Sequence, residues 1–153
     1  MVTALIIWAL LTASGASPAQ TAQRLPEWRL NLAQSTFDPG PPPQSEITTL
    51  FSAGRYIKVV SKTVDAGGTL HIVEYRVAAD GQEVPVTGSP VYDRISVQWI
   101  DANTSRATRK KHGKVVQIST RVLSADRSTM TFTTTGTDEH GRAIHDVAVF
   151  EKK

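Results

Sequence analysis

The chain contains no cysteine, so it holds no disulfide framework, no Cys-ligated metal centre and no thioether-bound haem. It carries no charged side chain before Arg24. None of its apolar runs reaches the ~20 residues that a membrane-spanning helix needs. Aromatic residues make up 7% of the 153 residues, so the large side chains able to line or fill an interior can be named one by one. Catalytic signatures are missing as well. There is no G-x-S-x-G elbow, no H-E-x-x-H pair and no phosphate-binding loop: Gly113-Lys114 is followed by Val115 and lacks the upstream glycine that such a loop uses. Serines and threonines are plentiful, but none stands in a recognisable arrangement with a base and an orienting partner, so no enzyme is expected.

What is present begins with an address. Residues 2–11 are almost wholly apolar and give way to the small residues of 12–19, the pattern of a secretory signal peptide. Ser17-Pro18-Ala19 before Gln20 has small residues three and one before the cut, so a signal peptide is expected over 1–19 and a single domain over 20–153. The mature chain is expected to be exported, periplasmic or secreted, with no transmembrane segment after signal cleavage.

The body of the chain has the composition of strands. In 45–153 there are 14 Thr, 14 Val and 7 Ile, so 35 of 109 residues are β-branched, while leucine occurs only at 50, 70 and 123. Branched side chains suit a pleated surface and lose rotamer freedom in a helix. Turn signals such as Ala53-Gly54, Asp80-Gly81, His112-Gly113 and His140-Gly141 recur at short intervals. Between them the apolar residues alternate: Ile95, Val97 and Trp99 oppose Arg94, Ser96 and Gln98, and Met130, Phe132 and Thr134 oppose a row of threonines. One drier face and one wetter face is the mark of antiparallel strands. The pattern predicts strands near 27–31, 46–52, 56–65, 70–78, 82–87, 92–100, 104–111, 115–123, 129–136 and 143–151. A helical turn is expected within 31–37, followed by a Pro-rich linker at 38–43. The fold class is all-β: a single antiparallel up-and-down β-barrel of roughly eight to ten strands, with a two-sheet β-sandwich as the alternative.

Several of these segments together resemble a known group. They are Trp28-Arg29-Leu30-Asn31 with Ser35 and Phe37, Pro39-Gly40-Pro41, Val84-Pro85-Val86-Thr87-Gly88, Gly113-Lys114-Val115, Leu123-Ser124-Ala125-Asp126 and Thr134-Thr135-Gly136-Thr137-Asp138. The chain resembles small exported bacterial proteins of unassigned function with a lipocalin-like (calycin) β-barrel. The resemblance implies that barrel and export from the cytoplasm; it implies no activity, because fold does not carry function. Lipocalins and fatty-acid-binding proteins supply no ligand residues to carry over. Pro26-Glu27-Trp28 stands where the former have Gly-x-Trp, and the Pro-rich stretch stands where the latter have a two-helix lid.

Two functions follow as expectations. The first is binding of a small hydrophobic ligand inside the barrel, with Tyr56, Tyr75, Trp99, Met130, Phe132 and Phe150 as cavity candidates. The second is a non-catalytic interaction module that binds an anionic envelope component or a protein through the basic 106–114 hairpin. Its candidates are Arg106, Arg109, Lys110, Lys111 and Lys114. Removing these five charges from the formal +3 leaves −2, so the hairpin alone makes the chain basic. No nucleic-acid partner is expected, since the segment lacks aromatics for base stacking and the chain is read as exported. His140 and His145 flank Gly141 near Asp138 and Asp146, but no converging ligand set is legible, and no metal or cofactor is expected. Glu74 and Arg76 share one face of 70–78 opposite Val73 and Tyr75, and a solvated outer position is expected for both.

Overall fold

The computed structural model describes residues 22–78 and 80–153. The signal peptide read at 1–19 and its cleavage point lie outside the described residues. Ten strands follow: β1 (Gln23–Leu30), β2 (Ser45–Ala53), β3 (Tyr56–Val64), β4 (Leu70–Val77), β5 (Val84–Thr87), β6 (Arg94–Trp99), β7 (Thr104–Lys111), β8 (Lys114–Leu123), β9 (Thr129–Thr137) and β10 (Ala143–Lys152). They form one closed antiparallel barrel in which each strand neighbours the next in sequence and β1 closes on β10. Leu30 pairs with Phe150 on one side, and Arg29 pairs with Ile47 on the other. That closure corrects the two-sheet alternative. A sandwich would leave edge strands with unpaired backbone groups, and closing the sheet on itself removes them.

Apart from the fourteen residues 31–44 between β1 and β2, the connections are short. At the β7–β8 hairpin, His112 and Gly113 both take positive φ, +48° and +79°, the turn whose twist matches paired strands. In other hairpins an aspartate organises the turn. Asp101 Oδ1 accepts from the Asn103 and Thr104 amides at 2.8 and 2.7 Å, and Asp138 Oδ1 accepts from those of His140 and Arg142 at 2.9 Å each. The turn expected within 31–37 is a 3-10 segment at Leu32–Gln34, where Asn31 Oδ1 accepts from the Gln34 amide. The thinnest part of the wall is β5. It holds Pro85, which lacks an amide donor, and only two residue pairs join it to each neighbour.

Packing inside the barrel is lopsided. Trp28, Leu30, Met130 and Phe150 are buried together, with Phe37, Leu50, Leu123, Phe132 and Ala148 packed against them. The Phe132 and Phe150 rings meet edge to face, with centroids 5.5 Å apart. Each such side chain contributes about 1.5–3 kcal/mol through burial. This cluster joins β1, β9 and β10 with contributions from β2 and β8. Away from this cluster Val59, Ile95, Ser105, Gln117 and Ser119 are also buried, and they line a space that side chains leave unfilled.

Candidate functional site

Period-two alternation sends every second residue of each strand inward. The inward rows line an open-mouthed cavity of about 1100 Å³. One part of its wall is aliphatic: Ile57 and Val59 from β3, Val73 and Val77 from β4, Ile95 and Val97 from β6. Another part is polar and comes from positions that an apolar-inside rule would have turned outward. Glu46, Thr48, Ser61 and Thr63 line it from β2 and β3, and Arg109, Gln117, Ser119, Arg121 and Thr134 from β7, β8 and β9.

Most of these polar groups are partnered. Ser61 Oγ donates to Glu46 Oε1 at 2.6 Å, and Thr48 Oγ1 donates to Ser61 Oγ at 3.4 Å. The Ser119 and Thr134 hydroxyls bond to each other at 2.8 Å, both buried. Arg109 Nη1 donates to Gln117 Oε1 at 2.9 Å, and Gln117 Nε2 donates to the Thr137 carbonyl at 3.0 Å. Burial pushes the Glu46 carboxyl above its ordinary range, against the opposing pull of Ser61, Arg109 and Thr63. Burial likewise pushes the Tyr75 hydroxyl up, so it stays a neutral donor.

The two arginines are the exception. The Arg109 guanidinium lies over the Tyr92 ring at 5.0 Å, and the Arg121 guanidinium lies over the Trp99 ring at 4.5 Å. Arg121 Nη1 is 3.9 Å from the Met130 thioether. Arg109 Nε, Arg121 Nε and Arg121 Nη2 are buried without a hydrogen-bond acceptor among the described residues. Neither arginine belongs to any of the ion pairs among those residues. Desolvation draws the Arg121 pKa down from its usual value, yet a guanidinium remains charged at any ordinary pH.

Of the cavity residues expected from sequence, Tyr75, Trp99, Met130, Phe132 and Phe150 line the cavity, and Tyr56 does not. Tyr56 precedes the inward Ile57 and so takes the opposite parity, where its hydroxyl accepts from Arg55 Nη2 at 2.6 Å. The basic hairpin also needs a correction, because its five cations do not share a surface. Arg109 follows Ser105 and Ala107 on the inner face of β7 and points into the cavity. Just beyond it the β7–β8 register shifts: Arg109 pairs with Gln117 but Lys110 with Val115, leaving Val116 as the extra residue of a bulge. Lys110 is engaged by Glu83. Arg106 sits outside, beside Ser96, Gln98 and Thr108 in a polar groove. Lys111 and Lys114 face each other next to the hairpin turn. Glu74 stands outside the cavity and pairs with Lys58 at 2.8 Å rather than with Arg76.

Among the described residues, no group of three or more His, Asp or Glu is placed to hold a metal ion. His140 lies 3.4 Å from Glu139. His71 Nε2 meets Asp65 Oδ2 at 2.9 Å, and this contact is the main cause of the lowered Asp65 pKa. No helix among the described residues is long and apolar enough to cross a membrane. Sequence reasoning missed Glu46, Gln117, Ser119 and Arg121 as interior residues, while Thr134 lies, as its alternation indicated, on the face of Met130 and Phe132. The alternation of 115–123 was visible, but its apolar member (Val116, Ile118, Val122) is the outer face. Only the pairing of Ser119 with Thr134 and Arg121 with Phe132 places the polar member inside.

A scan against protein-family models, a search of curated proteins and a search of solved structures each found no match to this chain. Fold and interior together define a ten-stranded up-and-down β-barrel with an internal cavity.

Proposed function

We propose that this chain is an exported, non-catalytic, lipocalin-like protein that takes a small apolar ligand into its barrel. The cavity carries the reading. Protein interiors are close-packed, whereas a space of about 1100 Å³ equals the share of roughly 35 waters at ~30 Å³ each. A fold under pressure only to be stable would fill such a space with larger side chains. Ligand pockets commonly span about 300–1,000 Å³ and combine apolar walls with a few placed polar groups, and this wall has both. The test is native mass spectrometry of protein exported by a bacterial host and purified without detergent, compared with the delipidated chain. A removable adduct on the mature mass is expected. A bare mature peak, together with an unchanged melting temperature across a panel of lipids, retinoids and haem, would end the proposal.

The alternative, docking of an anionic envelope component on the basic hairpin, is the weaker reading. With Arg109 inward and Lys110 engaged by Glu83, it retains Arg106, Lys111 and Lys114. Co-sedimentation with anionic vesicles that is lost on charge reversal at Lys111 and Lys114 would restore it.

A further inference from the structure

We infer that the barrel ligand is an anionic amphiphile whose negatively charged group is held by Arg121, with its apolar part lying along the aliphatic wall. The inference rests on the ligand-binding reading above and names the ligand's chemical class.

Three observations carry it. First, Arg121 presents two buried N–H groups, on Nε and Nη2, that have no acceptor among the described residues, and Arg109 presents one more on Nε. Buried guanidinium donors are normally satisfied, because leaving a charged donor unpaired in a desolvated site is costly. Second, what surrounds Arg121 is an aromatic face and a thioether, Trp99 at 4.5 Å and Met130 at 3.9 Å. Stacking orients a cation but neutralises nothing. The carboxyls that line the cavity, Glu46, Asp65, Asp138, Glu139 and Asp146, form no ion pair with Arg109 or Arg121 among the described residues. Third, Tyr75 lies where it feels both Arg109 and Arg121, and its hydroxyl remains a neutral donor there.

An uncharged apolar occupant would leave these buried donors unmet. An anionic group makes charge-assisted bonds to the same N–H groups, and a carboxylate matches the guanidinium fork. From Arg121 the apolar part has Val97, Ile95, Val73 and Val59 to lie against.

Isothermal titration with decanoate and with decanol, probes of equal chain length, separates the possibilities. Decanoate is expected to bind the mature protein about tenfold to a hundredfold more tightly, the range of a charge-assisted hydrogen bond. Arg121→Met, a side chain of similar reach, is expected to abolish the preference for decanoate over decanol. Arg121→Lys, which keeps the charge but not the fork, is expected to retain part of it. This second variant, with the wild-type ratio itself, covers the case in which Arg121→Met fails to fold. Equal affinity for the two probes, or an unchanged ratio in Arg121→Met, would overturn the anionic class while leaving the cavity reading intact. Failure of both probes to bind would overturn the inference and count against the ligand-binding reading as well.

Discussion

Gly136 in β9 is a position where a single methyl group should do severe damage, and the size of the effect follows from the geometry. It pairs with Gln117 of β8 on one side and Ile144 of β10 on the other, and its φ is +139°. A Cβ there would sit 2.0 Å from the Val116 carbonyl oxygen and 2.7 Å from Gln117 Cα. Both are backbone atoms, so no side-chain rotation relieves the overlap. Restoring a 3.0 Å contact with the oxygen requires about 1 Å of movement between β8 and β9, which breaks ladder hydrogen bonds worth about 1 kcal/mol each. The disfavoured φ adds about 1–3 kcal/mol. Gly136→Ala is thus expected to cost about 2–5 kcal/mol. With an unfolding entropy of about 2.1 cal/mol/K per residue, a domain of this size loses roughly 4 °C of Tm per kcal/mol, which gives a fall of about 8–20 °C. Gly113 is the matched control. Its φ is also positive, at +79°, but nothing lies within 4 Å of its would-be Cβ, so Gly113→Ala should cost about 1–2 kcal/mol from the left-handed backbone alone. Thermal unfolding of the two variants, followed by circular dichroism on the mature chain, compares strand approach with backbone strain. If Gly136→Ala melts no lower than Gly113→Ala, the close approach of β8 and β9 is not what requires glycine there.

Two further expectations concern the polar interior. The Glu46 carboxyl is held above its ordinary pKa of 4.5 by burial, with Ser61, Thr63 and Arg109 opposing. Its stabilising share is therefore complete below the unfolded value and is lost as pH rises through the folded one. Glu46→Gln, which cannot ionise, should escape that loss: its Tm relative to wild type should rise between pH 4.5 and pH 8, and a constant difference would refute the assignment. In the Ser119–Thr134 pair, 2.8 Å apart and buried, either single change to alanine should cost about 1–2 kcal/mol by leaving one hydroxyl unpaired. The double variant should cost less than the sum by about 1 kcal/mol in urea unfolding, and additivity within about 0.3–0.5 kcal/mol would show that the two hydroxyls are not coupled.

Composition and punctuation alone made the ten strands legible. β-Branched residues bounded by Gly, Asn and Asp turns place 104–111 on β7 without error, and 143–151 within a residue of β10. Glu74 and Arg76 read correctly as outer residues because exposed charged side chains are the common case, and Glu74 finds its partner in Lys58 of the neighbouring strand. The same reasoning failed for Tyr56, where a large aromatic at a strand start looked like a wall residue but had the wrong parity. It failed for Arg109 because a cluster of basic residues was counted along the chain rather than divided between two faces.

From its own residues the chain determines how many strands it makes and where they turn, because backbone preference and positive-φ turns are local properties. Which face of each strand points inward is not local when both faces mix polar and apolar groups, as in 115–123. There, cross-strand register and the closing of β1 on β10 decide. Closure also decides that the apolar cluster occupies one side of the barrel. That leaves a space in which Arg109 and Arg121 face inward with donors unmet. Strand identity is set by neighbours in sequence, and the cavity by residues far apart in sequence that only a closed sheet brings together.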